Sequence, residues 1–516
     1  KMCIIERSKG VVKVKKIFLI IAILLSFGIF TSCTKHQEIP IGTKPTKDFT
    51  VIDYISDNAI YQADSPLEIS GDCEPGVVMV CKFKNNKGNV IEEKYVTANE
   101  MGKWKIIIDD TPRPSSKKYQ LVISTAKDEY VKQFENIRFG ESWLLIGDEL
   151  EEQRGIKIAE NIFDNENYMI YKDGTWQKFS NDNQTFAMFL LNELANSTSV
   201  PISIVDATAQ KATKAYQWLD SKLIESRPQV KAYLEKNGLY KDNVQNLTEN
   251  DMSYYAINNY EKIKNMAFKN LVWNQGSGDY IEDTDNEYKK LYGQMLFTIM
   301  SQFEEKFKTT NNFYIIQEGS SFNEDVNLLR GFQTSICNYF AQCKVIPTYD
   351  LNIVYDTLQE KFVGSTEVNE EDLVNYEIRG YDLPTLAKRI ELIDKNKVIV
   401  PTVKNVIRKL DEDKNIISNK LIFDIELNFT NLETAKIKGL KFYDKNNQLV
   451  ECEYVFEKNE ITIKPVLKEV ADETGDTVEK TTFSIRKITY AEESFIFDNN
   501  FIVNNVAVVP FIVVIK

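Results

Sequence analysis

The chain has 516 residues, of which 43% are hydrophobic, 27% charged and 11% aromatic, a balance that excludes collagen-like, coiled-coil and wholly disordered chains. That length exceeds one compact core and predicts about three domains, and a net charge of −13 argues against nucleic acid as a partner. A single histidine, His36, all but removes mechanisms that need an imidazole base inside a folded domain.

Residues 1–32 read as a lipoprotein signal peptide. Lys13, Lys15 and Lys16 precede an apolar run from Ile17 to Phe30. As a helix that run spans about 21 Å, short for a bilayer, and small residues follow it. The end, Phe30-Thr31-Ser32-Cys33, resembles a bacterial lipobox. That resemblance implies lipidation of Cys33 as the first mature residue, and an outer-membrane lipoprotein of the cell envelope; an ordinary leader with a chance cysteine is the other reading. Residues 33–48 are polar, carry Pro40 and Pro45, and read as a tether that holds His36.

Residues 49–138 carry short alternating runs split by turn signals. Leu67-Glu68-Ile69 precedes Glu74-Pro75-Gly76, and Val77–Phe83 precedes Asn85-Asn86-Lys87-Gly88. Trp104–Ile108 and Tyr119–Ser124 follow, a spacing that predicts an antiparallel β-sandwich. Over 139–395 the pattern changes. Strand-like runs at Trp143–Ile146, Pro201–Val205, Leu271–Trp273 and Phe313–Ile316 alternate with helical stretches at Phe186–Leu194, Thr213–Ile224, Glu287–Phe307 and Val326–Ala341. Such alternation predicts an α/β domain, a parallel sheet covered by helices, with ligands at the carboxyl ends of its strands. Asn352–Gly380 reads as a surface excursion that could cover that cleft. Residues 396–516 return to β: Leu421, Phe423, Ile425, Leu427 and Phe429 share one face, Ile461–Ile463 and Val506–Ile515 are further strands, and Glu469–Lys480 is a charged loop.

Cys73, Cys81, Cys337, Cys343 and Cys452 follow Cys33, so at least one thiol stays free. Cys73 with Cys81, and Cys337 with Cys343, can each pair in an oxidising compartment; buried free thiols are the alternative. No Cys-x-x-Cys occurs, and with one histidine no zinc site is expected.

Several local strings, in order, resemble the sialate O-acetylesterase family, a branch of the SGNH hydrolases. Gly140-Glu141-Ser142-Trp143-Leu144-Leu145-Ile146-Gly147 matches the approach to the family's catalytic serine. Val200-Pro201-Ile202-Ser203-Ile204-Val205, Leu271-Val272-Trp273-Asn274-Gln275-Gly276-Ser277, Phe313-Tyr314-Ile315-Ile316-Gln317 and Leu329-Arg330-Gly331-Phe332-Gln333 resemble later family strings. Ile485–Ala491 and Val508-Val509-Pro510-Phe511 resemble its C-terminal ones. The resemblance covers about residues 50–515 and implies an SGNH-hydrolase-like three-layer α/β/α domain, 139–395, between an N-terminal β-sandwich, 49–138, and a C-terminal β-domain, 396–516.

The family deacetylates sugars with a serine nucleophile, a histidine base and an oxyanion hole. A serine hydroxyl needs a base to take its proton, and the tetrahedral intermediate needs donors aimed at its oxyanion. Here the family's Gln-Ser-Asn-Met falls on Asp148-Glu149-Leu150-Glu151, so Glu149 stands at the nucleophile position and apolar Leu150 at a donor position. The oxyanion loop falls near Ala209-Gln210-Lys211-Ala212. Gln275-Gly276 is kept, with Ser277 where the family has glutamate, and the Asp-x-His-Pro block falls on Tyr381-Asp382-Leu383-Pro384, without its histidine. The positions equivalent to the family's site are therefore Asp148, Glu149, Lys211, Gln275, Ser277 and Asp382, and no catalytic role is expected of them. No cofactor and no metal are expected, although Asp148, Glu149 and Asp382 could in principle hold a hard cation. Trp218 and Trp273 read as core, whereas Trp176, after a turn, reads as an exposed platform or a crevice wall.

Three readings of function follow. The first is a non-catalytic, membrane-anchored protein that binds a glycan or assists glycan use. The second is an active esterase or hydrolase with relocated groups, such as the acidic cluster Asp148, Glu149, Glu151 and Glu152. The third is a structural component of an envelope complex. The crevice around Asp148, Glu149, Lys211 and Ser277 separates them: filled by side chains, it excludes binding there and favours the third reading; the sequence leaves oligomeric state open.

Overall fold

The computed structural model describes residues 42–515 except 159–161, 181–183, 242–245, 281–284, 310–311, 322–324, 365–367, 369, 413–415, 427–436, 465, 472–476, 484, 492–500 and 504–505. The leader, Cys33, His36, Leu427 and Phe429 lie outside the described residues.

One strand, Val131–Asp148, organises the molecule. Its first half pairs antiparallel with Ser115–Thr125 and, over Ile60↔Arg138 to Gln62↔Gly140, parallel with Ile60–Gln62. Val78–Asn85 and Val90–Thr97 extend this sheet. A second ribbon, Leu67–Asp72 with Lys103–Ile108, contributes Ile69, Trp104, Ile106 and Ile108 to the core that Met79, Cys81, Phe83, Leu121 and Ile123 also line. The expected boundary at Arg138 thus falls inside a single strand, with no linker.

The second half of the long strand is the centre of a parallel sheet. Ile202–Ala209 lies on one side, in register Ile202↔Glu141 to Ala209↔Asp148. Asn270–Asn274 lies on the other, Asn270↔Trp143 to Asn274↔Gly147. Phe313–Ile316 and Cys343–Ile346 continue beyond the latter, and Tyr168–Lys172 with its antiparallel partner Thr175–Lys178 beyond the former. Alternation sends successive side chains to opposite faces. Trp143 and Leu145 join Ile202, Ile204 and Val272 under the helices Phe186–Ser197 and Leu383–Asp394. Leu144 and Ile146 join Val205, Leu271 and Trp273 under the helices Pro228–Lys236 and Asn286–Lys306. Both faces are covered, which is why these strands read as unbroken apolar runs.

Residues 352–381 form a three-stranded antiparallel sheet, Lys361–Val363, Asn352–Asp356 and Tyr376–Tyr381. Further along, Val403–Leu410, Ile416–Phe423, Glu460–Ile463 and Tyr454–Glu457 make a four-stranded sheet, and Leu440–Tyr443, Lys487–Tyr490 and Phe511–Val514 a three-stranded one. Leu421, Phe423, Ile461, Ile463, Ile488 and Tyr490 fill the core they share. Tyr349 enters it from the central region, its hydroxyl 2.7 Å from that of Tyr490 and donating to the Val508 carbonyl at 2.8 Å.

Local expectations differ from the structure in four places. The helix expected over Thr213–Ile224 is two short 3₁₀ turns, Ala215–Trp218 and Ile224–Ser226. Tertiary partners take the groups a helix would use: Ala215 N–H goes to Asp279 at 3.0 Å, and Asp220 N–H to Gln302 Oε1 at 2.6 Å. The helix expected to reach Ala341 ends at Ile336 in successive turns, Asn338 N–H to Ser335 O and Tyr339 N–H to Ile336 O. The strand expected over Val506–Ile515 is broken: Val508 and Val509 donate to Phe501 and Pro401 at 3.1 Å, and Pro510 has no N–H to give a ladder. The charged loop expected over Glu469–Lys480 instead contains paired strands, Val466–Ala471 and Thr477–Phe483, whose register sets Glu469 opposite Lys480.

Candidate active site

The carboxyl end of the long strand carries the positions that matter. Gly147 sits at φ +103°, and a Cβ there would lie 2.0 Å from the Asn274 carbonyl oxygen, so only glycine lets the two strand ends approach. Asn274 Nδ2–H then donates to the Asp148 carbonyl at 2.8 Å.

Asp148 is 7% exposed. Its Oδ1 accepts from the Thr213 amide at 3.0 Å and the Thr213 hydroxyl at 2.5 Å, while Oδ2 is buried with no hydrogen-bond partner among the described residues. Burial holds this carboxyl well above the usual carboxylate range; Thr213 opposes the shift and the charge of Asp279 adds to it.

Glu149, at the expected nucleophile position, points elsewhere. Its amide donates to Ala209 O at 2.8 Å and its Oε1 lies 2.5 Å from Lys172 Nζ. The same ammonium reaches Asp206 Oδ2 at 3.0 Å, and Asp206 Oδ1 also accepts from Thr208 N–H at 3.1 Å. Burial raises the Glu149 carboxyl, with Lys172 pulling the other way. Burial pulls Lys172 down, but Asp206 and Glu149 outweigh it and hold the ammonium above the lysine range. Glu149 is thus one arm of a closed carboxylate–ammonium–carboxylate bridge across the ends of neighbouring strands.

Gln275 is buried; its Nε2–H donates to Thr213 O at 2.8 Å and to Asp279, and its own carbonyl accepts from Gln333 Nε2 at 3.1 Å. Ser277 is exposed at the start of a 3₁₀ turn, Ser277–Asp279. Lys211 is exposed and paired with Glu249, whose hydrogen bond raises its pKa; the acidic neighbour is Glu249, not Asp148 or Glu149. Asp382 caps the helix Leu383–Asp394 by accepting from Thr385 N–H at 3.1 Å, and pairs with Arg154 at 3.2 Å. Asp148, Glu149 and Gln275 therefore gather at one end of the sheet, Asp382 is linked to it through the segment after the long strand, and Lys211 and Ser277 face solvent. Trp176 is not an exposed platform: half-buried, it donates to Tyr54 O at 2.8 Å and meets Tyr61 edge-on at 5.9 Å. Trp218 and Trp273 are fully buried.

The sequence reading missed Lys172, Asp206, Thr213 and Asp279. Asp279, fully buried, accepts from Ala215 N–H, Gln275 and Tyr288 OH, and burial pushes it up to about 6. It is the hub that joins the loops after two strands to the helix Asn286–Lys306. The signal available was a charge inside Gly276-Ser277-Gly278-Asp279-Tyr280, directly after an apolar strand.

Beside Asp148, Glu149, Leu150, Phe186 and Asp206 lies a small cavity of about 20 Å³. That is room for about one water and not for a sugar ring. A larger cavity, about 690 Å³, lies between the helix Val326–Ile336, the strand Cys343–Ile346 and the C-terminal strands.

No family model matches this chain, and no curated protein does. Among solved structures, the chain is similar to a carbohydrate acetylesterase from Xanthomonas citri, with TM-score 0.62 and 15% identity over 90% of this chain and 99% of that one. The chain has the fold of that acetylesterase, a mixed α/β architecture with a large sheet and additional β-sheets. An acetyl xylan esterase from Butyrivibrio proteoclasticus matches at TM-score 0.23 and 11% identity, over 68% of this chain and 99% of that one.

Proposed function

We propose that this chain is a catalytically silent protein on a carbohydrate-esterase scaffold of the sialate O-acetylesterase type, tethered to the envelope membrane through Cys33, which serves glycan use by binding rather than hydrolysis. The observation that carries the proposal is the pinned carboxylate at the nucleophile position: Glu149 is held by Lys172 rather than free to attack, and the cavity beside it holds only about 20 Å³. The chemistry agrees. A carboxylate attacking an ester would generate a mixed anhydride, and the single histidine of the chain is His36, in the tether. A relocated carboxylate pair is disfavoured by the same bridge, since both Glu149 and Asp206 share one ammonium.

We assign glycan contact to the cavity of about 690 Å³. Its size is that of a small-ligand site. Its lining mixes the half-buried ring of Phe511 with the side chains of Thr334, Asn338 and Asn396, an apolar platform beside hydroxyl and amide groups that suits a sugar. The test pairs two assays on the mature protein. Hydrolysis of p-nitrophenyl acetate and of O-acetylated sialic acid should be absent in the wild type and in Glu149→Ser. A glycan array should show binding that Phe511→Ala weakens. Turnover that disappears in Glu149→Ala would overturn silence. An array without binding would move the assignment to a structural component of an envelope complex.

A further inference from the structure

We propose that Cys337 and Cys343 form an intramolecular disulfide that bolts the end of the helix Val326–Ile336 to the first residue of the strand Cys343–Ile346. Their Sγ atoms lie 3.0 Å apart. Neither carrier is loose. Cys337 directly follows the helix, its amide donating to Ser335 O. Cys343 is locked in the sheet opposite Phe313, whose amide donates to Gln342 O at 2.9 Å, and its own amide donates to Phe340 O at 2.9 Å. Closing to a bond of about 2.05 Å asks the two sulfurs to approach by about 1 Å.

The other described cysteines are placed differently. Cys81 is buried in the N-terminal sheet, Cys73 Sγ sits 3.5 Å from Glu74 O, and Cys452 Sγ 3.9 Å from Val450 O. Accessibility sets the order of events: Cys337 is half-buried and Cys343 is buried, and the contact with Cys337, with burial added, raises the Cys343 thiol. The oxidant is a disulfide of low molecular weight or of a thiol oxidase. The Cys337 thiolate attacks one of its sulfurs, forming a mixed disulfide and releasing one thiol. Cys343, losing its proton to solvent, then attacks Cys337 Sγ and expels the second thiol. Two protein thiols become one disulfide while the oxidant is reduced to two thiols.

Both cysteines line the wall of the cavity of about 690 Å³, next to Asn338, Lys344 and Val345, so the bond fixes that wall. The inference stands independently of whether a glycan binds there. It also suits a chain that works outside the reducing cytosol.

The experiment uses the full mature chain and oxidised glutathione. Trypsin releases both cysteines on one peptide, 331–344, bounded by Arg330 and Lys344. After incubation and alkylation without reduction, that peptide should appear lighter than the dithiol by two hydrogens and carry no alkyl group, while Cys73, Cys81 and Cys452 take the alkyl label once the chain is unfolded. In Cys343→Ser the reaction should stop at glutathione on Cys337. A wild-type peptide that keeps two alkylated cysteines, or that retains glutathione on Cys337, would overturn the proposal.

Discussion

Replacing Lys172 by methionine removes the ammonium and keeps most of the side-chain volume, leaving Glu149 and Asp206 facing one another. The side chain of Lys172 is 22% exposed, that of Glu149 7% and that of Asp206 2%. Breaking a buried pair costs about 3–5 kcal/mol. Partial exposure of the lysine, and the freedom of either acid to take up a proton, scale this to about 2–3 kcal/mol near neutral pH. In a domain of this size each kcal/mol lowers the midpoint by about 2–4 °C, so a drop of about 4–12 °C is expected. The pH dependence has a definite sign. Burial already holds the Glu149 carboxyl above its ordinary value, and loss of Lys172 lifts it further. A carboxyl whose folded pKa exceeds its unfolded one favours the fold in acid and loses that contribution as pH rises through the folded value. The deficit of Lys172→Met should therefore be small near about pH 5 and largest near about pH 8. Thermal unfolding followed by circular dichroism at both values measures it. An unchanged midpoint at the higher pH, or a deficit that fails to shrink on acidification, would refute the bridge as described.

Asp148→Asn tests the raised carboxyl. Because burial holds Asp148 well above its ordinary value, its favourable contribution is present in acid and fades as pH rises through the folded pKa; the amide should sit within about 1 kcal/mol of wild type in acid and flatten the decline above it, seen in denaturant midpoints across pH. Gly147→Ala puts a Cβ 2.0 Å from Asn274 O at φ +103° and should cost more than about 3 kcal/mol, read as a large midpoint loss or an insoluble product. Cys33→Ser should move the chain from the membrane to the soluble fraction in cell fractionation; unchanged membrane retention would remove the anchor from the proposal.

The parallel sheet was legible because its strands are buried on both faces. Runs such as Trp143–Ile146 and Phe313–Ile316 carry no polar alternation to confuse them with surface strands, and the glycine and amides that follow them mark the carboxyl ends. The identity of Glu149 at the nucleophile position was legible as well. Its partner was not: Lys172 is 23 residues away and looks like any surface lysine before an Asp173-Gly174 turn. Asp279 escaped for a related reason, since its donors come from Ala215, Gln275 and Tyr288, and their convergence is decided by three loops at once. The 3₁₀ turns around Trp218 reflect the same limit, with helical periodicity overridden by long-range hydrogen bonds. The size of the small cavity beside Glu149 depends on how Leu150, Phe186 and Asp206 fill space, a volume no residue pattern expresses.

The strand Val131–Asp148 also sets an order of events as the chain folds from its N-terminus. Its first half finds Ile60–Gln62 and Ser115–Thr125 already made. Its second half must wait for Ile202–Ala209 on one side and Asn270–Asn274 on the other. Through that interval Trp143–Ile146 projects from a finished sheet as an apolar strand with both edges bare, a geometry that recruits stray strands. The completed N-terminal sheet acts as a jig that fixes the direction and register of a strand whose neighbours do not yet exist. The interval before residues 149–274 arrive to cover that strand is when this chain is most exposed to aggregation.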